Sequence, residues 1–281
     1  MTKDTRKHND NNDPVLHYFG FQNTPFARGG PIEALMAIDG QEEMQARLRQ
    51  AMRHQDIALV TAPGGCGKST ALRRFTHSLD TNRFLVLYVP NPAPGLTGVY
   101  RDILKTLGHE PTYFRPQLVS QVRIALNDVA AKGRQIVILC DEAHRLTNGW
   151  LEDLRMLLST DMDATSLATL VLVGHPELRE RLRMTSMDAL RSRINVRYSL
   201  KPLNLQESAA YITHHVKVAG YRGDTLFSDG FIARAFEYAN GIPRVLNQLC
   251  SISLVAAMAT NAKVIDETIF QRAQLDLEDG L

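Results

Sequence analysis

Apolar runs and segments with helical periodicity alternate along the first two thirds of the chain. The runs at 57–60, 84–89, 136–139 and 170–173 consist of aliphatic and aromatic residues. Unbroken runs of this kind are typical of strands that are buried on both faces of a parallel sheet. Between them, apolar residues recur with helical spacing, as at 118, 122 and 126. The alternation predicts an α/β fold with three layers, in which helices cover both faces of a parallel sheet.

The pattern changes after residue 202. No further apolar run of strand length follows, and the segments 206–218, 229–239 and 244–260 have helical periodicity, with glycines at or near their ends. They predict a small all-helical domain. The polar first residues predict a disordered tail at 1–16, which leaves 17–203 for the α/β domain and 204–281 for the helical lid domain.

Composition narrows the class of protein. The chain has 281 residues, of which 44% are hydrophobic and 22% charged, as in globular proteins with a sizeable core. The net charge of +2 does not by itself indicate a nucleic-acid partner, and a local basic surface would be hidden in that total. Three cysteines form neither a metal-binding spacing nor an even disulfide set. This cysteine usage fits a reducing cytoplasm, where we expect the protein to act. No apolar run is long enough to span a bilayer and no secretory signal is present, so we expect no membrane segment.

A glycine-rich loop carries the strongest chemical signal. Residues 62–69 read A-P-G-G-C-G-K-S, after the first apolar run and before a helical segment. Strand, glycine loop and helix in this order are the arrangement of a phosphate-binding loop. Lys68 would reach the β- and γ-phosphates of ATP during catalysis, and the Ser69 hydroxyl would ligate Mg²⁺. Ala62 departs mildly from the strict pattern, which has glycine there, and the alternative is a glycine-rich turn before an ordinary helix. The predicted nucleotide contacts are Ala62, Pro63, Gly64, Gly65, Cys66, Gly67, Lys68, Ser69 and Thr70.

A second signal is the apolar run that ends in Asp141 and Glu142. A strand with two carboxylates at its tip matches a Walker B element, in which Asp141 would hold Mg²⁺ and Glu142 would polarise a water for attack on the γ-phosphate. The alternative is a strand that simply ends in acidic surface residues. Residues 141–144 also spell the DEAH box of one helicase class, but that class needs two recombinase-like domains and this chain has room for one.

Three further residues are candidates for reading or stabilising the nucleotide. His175 follows the last apolar run, where P-loop ATPases with an additional strand place a polar sensor residue; the alternative is a polar residue that opens a loop before Pro176. Arg193, with Arg191 as second choice, would act on a neighbouring subunit's nucleotide as an arginine finger; the alternative is a solvated basic helix face. Arg244 opens a helix and would point to the γ-phosphate; the alternative is an ordinary surface arginine.

With these motifs in place, the chain resembles AAA+ ATPases of the ExeA/GspA type from Tyr18 to about Leu277. Family members commonly carry Gln where this chain has His144 and His175. The resemblance implies an AAA+ core with a helical lid, ATP with Mg²⁺ as cofactors, and activity as an oligomer, either a ring or a filament. The stretches that carry the resemblance include the glycine loop and residues 141–143, 172–178 and 241–244.

The biological process depends on what the ATPase is joined to. Secretion members of this family continue into a membrane span and a wall-binding domain, whereas this chain stops at Leu281. Free-standing members resemble the regulatory ATPases of transposons, of the TnsC/TniB/MuB type, which assemble on DNA and direct a transposase. The first hypothesis is therefore a DNA-binding helper of transposition, with double-stranded DNA and a transposase as partners. Its phosphate contacts, or else a solvated face balanced by acidic neighbours, would be Arg179, Arg181, Arg183, Arg191 and Arg197.

Two other hypotheses remain open at this point. One is a cytoplasmic ATPase of a secretion or envelope-assembly system that acts with a membrane partner. The other is a nucleotide-gated scaffold, in which slow hydrolysis only times assembly. Stimulation of ATP turnover by DNA that falls steeply with salt would support the first hypothesis and count against the second. The salt dependence is the mark of electrostatic binding to DNA.

Overall fold

The computed structural model describes residues 13–27, 29–36, 38–92, 95–160 and 165–279, which form two compact units. The α/β unit consists of Asp39–Gly64 and Lys68–Lys201. The helical unit takes in Gly65–Gly67 and the described residues of Met1–Ile38 and Pro202–Leu281. We predicted that residues 17–38 belong to the α/β domain. In the structure, the described residues of this range group with the helical unit. The predicted tail at 1–16 lies outside the described residues up to position 12.

A parallel sheet of five strands forms the centre of the α/β unit. Its strands are β1 (Ile57–Thr61), β2 (Phe84–Val89), β3 (Gln135–Cys140), β6 (Thr169–Gly174) and β7 (Ile194–Ser199), while β4 (Ser159–Thr160) and β5 (Thr165–Ser166) pair separately with each other. The order across the sheet is β2, β3, β6, β1, β7. All four predicted apolar runs are strands of this sheet, so the predicted α/β fold with a parallel sheet is confirmed.

The fifth strand, β7, was missed by the sequence analysis. Among the described strands it pairs with β1 alone, as an edge strand. Ile194 and Val196 are buried, whereas Asn195 and Arg197 are exposed. Because one face of an edge strand meets solvent, its sequence alternates between apolar and polar residues and contains no unbroken apolar run.

Helices cover both faces of the sheet. They are α2 (Asp39–His54), α3 (Lys68–His77), α4 (Leu96–Thr106), α5 (Arg115–Ala131), α6 (Asn148–Leu158), α7 (Pro176–Arg181) and α8 (Asp188–Arg193). Leu59 and Ile138 pack in one buried cluster with residues of α4, α5 and α6. The next residues along the strands, Val60 and Leu139, pack in a second cluster with residues of α2 and α3. Successive side chains of a strand point to opposite faces, so the two clusters are the two sides of a three-layer domain.

The strand order brings the loops that follow β1, β3 and β6 together at the carboxyl end of the sheet. Thr61 at the end of β1 is the register partner of Gly174 at the end of β6, and Cys140 at the end of β3 pairs with Leu172 of β6. After β1 the chain crosses to β2 at the far edge of the sheet. The later strands β6 and β7 then lie on the two sides of β1. In open α/β sheets, ligands bind at the carboxyl ends of strands beside such a reversal of order. The glycine loop therefore lies at this position.

The helical unit contains α1 (Pro14–Phe19), α9 (Leu205–Val218), α10 (Asp229–Ala239), α11 (Pro243–Ala259) and α12 (Glu267–Asp279). Asn204 and Glu207 form a reciprocal capping box at the start of α9, and the Ser228 hydroxyl accepts from an N–H in the first turn of α10. These caps satisfy backbone donors that a helix start leaves unpaired. No helix in the described part of the chain combines the length and the hydropathy needed to cross a membrane.

Candidate functional site

The glycine loop joins β1 to α3. Gly65 and Gly67 both have φ of 84°, in the left-handed region that favours glycine. A Cβ atom on Gly65 would lie 2.9 Å from both Ile242 Cγ2 and Arg244 Cβ, so this position also lacks room for a side chain. Ala62 is fully buried, and its N–H donates to the Gly174 carbonyl at 3.1 Å, which continues the β1–β6 pairing by one residue. A small residue fits there, and this explains why alanine replaces the expected glycine.

Lys68 is the first residue of α3, and the loop curves around its side chain. Its ammonium group donates to the carbonyl oxygens of Ala62 at 2.9 Å and Pro63 at 3.3 Å. Only 7% of Lys68 is exposed. A lysine at a helix N-terminus favours an anion such as a phosphate, because the ammonium group and the helix end both carry positive charge. The predicted loop residues are thus assembled as one turn with the lysine at its base.

Asp141, directly after β3, is the next element of the site. One of its carboxylate oxygens, Oδ2, accepts from Ser69 Oγ at 3.2 Å and from the Tyr88 hydroxyl at 3.0 Å. The other, Oδ1, accepts from the Glu142 N–H at 2.9 Å. Carboxylate and hydroxyl oxygens are the ligands that Mg²⁺ prefers in proteins, so Ser69 and Asp141 form a donor set that fits this ion.

Tyr88 was not among the predicted site residues. It is the penultimate residue of β2, the neighbour of β3, and is 47% exposed. Burial of the ring, and after it the negative charge of Asp141, raise the pKa of Tyr88 to about 12. The hydroxyl therefore keeps its proton at neutral pH and remains a donor to Asp141. The one polar atom near the end of an otherwise apolar run is the signal that could have identified it.

Glu142 occupies a strained backbone position beside Asp141. Its φ of 53° lies in the left-handed region, which costs free energy for a residue with a side chain. The following turn, Ala143–Arg145, carries His144 back towards it, so that Glu142 Oε2 and His144 Nε2 are 3.5 Å apart. Strained residues of this kind are concentrated at functional sites.

His144 and His175 form a stacked pair. Their ring centroids are 4.4 Å apart at an angle of 26°, and the His175 N–H points to His144 Nδ1 at 3.4 Å. Burial, and then the neighbouring His175, lower the pKa of His144. A Cβ atom on Gly64 would lie 3.8 Å from His175 Cε1, so the structure places His175 beside the glycine loop, and its role as a sensor stays a prediction.

Arg181, the last residue of α7, contacts the backbone of the histidine pair. Its Nη1 donates to the His144 carbonyl oxygen at 3.1 Å. Its Nε and Nη2 atoms are buried and have no hydrogen-bond partner among the described residues. Burial also lowers the pKa of this guanidinium. The side chain thus anchors the turn after Glu142, which differs from the predicted role as a surface phosphate contact.

The helix α8 carries the two candidates for an arginine finger. Arg193 is its last residue and is half-buried, whereas Arg191 is exposed and pairs with Asp188 at 2.7 Å. Glu152 of α6 holds this helix: its Oε1 accepts from the Leu190 N–H at 3.1 Å, and its Oε2 pairs with Arg155. The Glu152–Arg155 pair was not predicted to have this role, because it depends on the packing of α6 against α8.

Four arginines line a cavity of about 610 Å³ beside α7, α8 and β7. Two of them have carboxylate partners: Arg183 pairs with Glu180 at 2.8 Å, and Arg191 with Asp188. These pairs are exposed to solvent, so each contributes little to stability and its arginine can exchange partners. The structure therefore brings together four of the five arginines proposed as phosphate contacts. The lining residues are Leu59, Arg179, Leu182, Arg183, Asp188, Arg191, Ser192, Ile194 and Arg197.

Arg244 lies in the first turn of α11, in the helical unit, and its side chain is exposed. Its N–H donates to the carbonyl oxygen of Gly65, at 3.3 Å, and Gly65–Gly67 belong to the same unit. This contact involves the backbone of Arg244. The predicted role of the guanidinium at a γ-phosphate stays a prediction.

A protein family described as an AAA domain matches residues 49–182. General secretion pathway protein A of Aeromonas hydrophila is 31% identical over 255 residues, which cover 88% of this chain and 46% of that protein. The chain thus spans about half the length of this curated relative.

Solved structures of similar fold come from more distant proteins. The ORC2 protein of Aeropyrum pernix, in ADPNP and ADP complexes, has a TM-score of 0.69 at 15% identity, covering 90% of this chain and 71% of that one. The ORC1 protein of Aeropyrum pernix in complex with DNA has a TM-score of 0.63 at 13% identity, with 88% and 68% covered. The similarity to these proteins is therefore one of fold, and it covers most of the chain.

Proposed function

Because the chain is an AAA+ P-loop NTPase of the ExeA/GspA type, we propose that it binds ATP with Mg²⁺ at the glycine loop, hydrolyses it, and acts as a nucleotide-switched oligomer. The observation that carries this proposal is the position of Asp141. Its carboxylate lies 3.2 Å from Ser69 Oγ, one residue after the lysine at the base of the loop. A phosphate cradle and a set of oxygen donors for Mg²⁺ are thereby adjacent.

Each residue has a distinct role in this proposal. The loop N–H groups and Lys68 hold the phosphates, because an ammonium group and a helix N-terminus both favour negative charge. Ser69 and Asp141 hold Mg²⁺, which neutralises phosphate charge when bound. Glu142 orients the attacking water and accepts its proton. His175, beside Gly64, and Arg244 would then report the state of the nucleotide.

The substitution Glu142→Gln tests hydrolysis separately from binding. The amide keeps the size of the side chain but cannot accept a proton, so we expect turnover to fall at least about 100-fold with ATP affinity little changed. Glu180→Gln, at an exposed site on α7, is the matched control and should turn over ATP normally. Equal turnover by both variants would rule out Glu142 as the base. If Glu142→Gln also kept full biological activity, a nucleotide-gated scaffold would be the better description.

Oligomeric action is proposed for Arg193, which would stabilise transition-state charge on a neighbouring subunit's nucleotide. Arg193→Ala should bind ATP normally and turn it over slowly. Mixing it with Glu142→Gln subunits should restore part of the activity, because some interfaces then combine an intact Glu142 with an intact Arg193. Absence of any rescue would argue against action in trans, and repeating the mixture with Arg191→Ala decides between the two arginines.

As the partner of this switch we propose double-stranded DNA, in a helper role to a transposase. The supporting feature is the arginine-lined cavity, because guanidinium groups bind phosphates and exposed ion pairs exchange readily for them. Arg179→Gln combined with Arg183→Gln should weaken DNA binding and lower the slope of log affinity against log salt by about two. Arg222→Gln combined with Arg272→Gln removes the same charge from exposed sites of the helical unit and is the control.

A second candidate is an ATPase of a secretion or envelope-assembly system, favoured by the 31% identity to general secretion pathway protein A. In this case the partner is a membrane protein, and turnover should rise with a membrane fraction from the source cells and should not respond to DNA at low salt. Stimulation by DNA that disappears in the double arginine variant would decide for the first candidate. Stimulation by membranes that the same variant retains would decide for the second.

A further inference from the structure

Glu142, His144 and His175 form a cluster with the composition of a metal site. Each offers one ligand atom, and the three atoms lie within 4.8 Å of one another. All three residues are half-buried. No other group of three or more potential metal ligands was found among the described residues. The cluster is separate from Ser69 and Asp141, whose donors are oxygens alone.

The donor types select a class of ion. Two imidazole nitrogens and one carboxylate oxygen suit Zn²⁺ and related transition-metal ions, whereas Mg²⁺ prefers oxygen ligands throughout. Ligands at 2.0–2.1 Å from a tetrahedral zinc ion are about 3.3 Å from each other. His144 Nε2 and Glu142 Oε2, at 3.5 Å, are already close to this separation. His175 has to approach by a rotation of its ring.

The surrounding structure restrains the backbone of His144. Gly174 packs closely against the His144 backbone nitrogen, since a Cβ atom on Gly174 would lie 3.2 Å from it, and Arg181 donates to the His144 carbonyl oxygen, so the backbone of His144 is held on both sides. The contact between the backbone N–H of His175 and His144 Nδ1 is long, at 3.4 Å, and therefore weak. Ligation through Nε2 moves the ring proton of His144 to Nδ1, and this contact then opens at little cost.

We propose that Glu142, His144 and His175 bind one transition-metal ion of the zinc class, and that the bound ion inhibits ATP hydrolysis because it occupies the Glu142 carboxylate. The first part concerns this cluster alone. The second part rests on the proposed ATPase function, with Glu142 as the base. Because the two metal sites differ in their donor atoms, an excess of Mg²⁺ should not relieve the inhibition, whereas a chelator of transition metals should.

Direct binding tests the first part without any nucleotide. The full chain, freed of any affinity tag, is titrated with Co²⁺, whose visible absorption reports nitrogen coordination, and Zn²⁺ is then added to displace it. We expect one Co²⁺ per chain. His144→Gln should lower the affinity at least about tenfold, since even loss of a residue that merely supports a metal ligand costs about 10–100-fold. His175→Gln should do the same. His109→Gln, at an exposed site, should bind as the wild type does.

Zinc inhibition of Mg²⁺-dependent ATP turnover tests the second part. Zn²⁺ should inhibit the wild type and His109→Gln at the concentration that displaces Co²⁺, and His144→Gln should need at least about tenfold more. Equal Co²⁺ binding by the wild type, His144→Gln and His175→Gln would overturn the metal site. Site-specific Co²⁺ binding in a chain without turnover would retain the metal site and overturn the proposed ATPase function. Turnover in a chain that binds no Co²⁺ would retain the proposed ATPase function and overturn the metal site.

Discussion

Two adjacent parts of the site are held together differently. The oxygen corner is made of Lys68, Ser69, Tyr88 and Asp141. Ser69 and Tyr88 donate to Asp141, and Lys68 donates to the loop carbonyls, all at 2.9–3.3 Å. The imidazole corner, made of Glu142, His144 and His175, has contacts of 3.4 and 3.5 Å and a strained glutamate. Hydrogen bonds weaken over this range of lengths. The oxygen corner is therefore built before a ligand arrives, whereas the imidazole corner is able to rearrange around one.

The largest expected effect follows from removing the centre of the oxygen corner. Lys68→Ala deletes an ammonium group that bonds the loop carbonyls and, in our proposal, the phosphates. Two or three charge-assisted hydrogen bonds are lost, so ATP affinity should fall at least about 100-fold. Isothermal titration or a fluorescent nucleotide measures this loss. Lys132→Ala, at an exposed position after α5, is the control. ATP affinity within a few-fold of the wild type would mean that the loop is not the phosphate site.

The next largest effect concerns the support of the imidazole corner. Arg181→Met keeps the aliphatic volume but removes the bond to the His144 carbonyl oxygen, so the turn after Glu142 loses its anchor. We expect turnover to fall about tenfold, the equivalent of one hydrogen bond to a charged group, with ATP affinity unchanged. The same substitution removes two buried guanidinium nitrogens that have no described partner, so the free energy of unfolding should not decrease.

Arg179→Met, on the exposed face of the same helix, is the control for this substitution. Turnover and chemical denaturation are measured on both variants. A parallel loss of stability and turnover in Arg181→Met would indicate a role for Arg181 in folding alone, without a specific effect on the imidazole corner.

A smaller effect is expected at the edge of the oxygen corner. Tyr88→Phe removes one donor to Asp141 and leaves the ring in place. A hydrogen bond of this kind contributes about 0.5–1.5 kcal/mol, so the Mg²⁺ concentration for half-maximal turnover should rise about two- to tenfold. Tyr113→Phe alters a tyrosine that is 83% exposed and should have no effect. An unchanged Mg²⁺ requirement in Tyr88→Phe would show that Asp141 needs no support from β2.

The contrast between the corners also explains what the sequence could predict. Lys68, Ser69 and the glycines are local in the chain, and Asp141 ends an apolar strand, so motif and periodicity were sufficient to identify them. Four strands were found because burial on both faces makes their sequences uniformly apolar. The helix at Asp229–Ala239 was predicted with both of its ends.

The remaining contacts depend on which strands are neighbours, and hydrophobic pattern does not encode this order. Tyr88 meets Asp141 because β2 lies beside β3, and His144 meets His175 because β3 lies beside β6. The edge strand β7 has the alternating pattern of a half-exposed strand and was overlooked. The grouping of residues 13–38 with the helical unit is likewise a matter of tertiary packing.

The smallest expected effect is a pH dependence of stability that arises in the imidazole corner. Burial and His175 lower the pKa of His144, so the unfolded chain takes up a proton before the folded chain does. The stability linked to this residue is therefore complete above the unfolded value of about 6.5 and is lost as the pH falls below it. His144→Gln removes this contribution. Urea unfolding in a chelating buffer, at about pH 7.5 and about pH 5.5, should show a smaller loss of stability in His144→Gln than in the wild type.

The control for this comparison is His109→Gln, which should lose as much stability in acid as the wild type does. His215 in the helical unit also has a lowered pKa, of about 4, and adds a loss of the same sign to every variant. Only the difference between His144→Gln and His109→Gln therefore reports the imidazole corner. If that difference were zero, His144 would be as well solvated in the folded chain as in the unfolded one, and its burial in the imidazole corner would have no effect on its protonation.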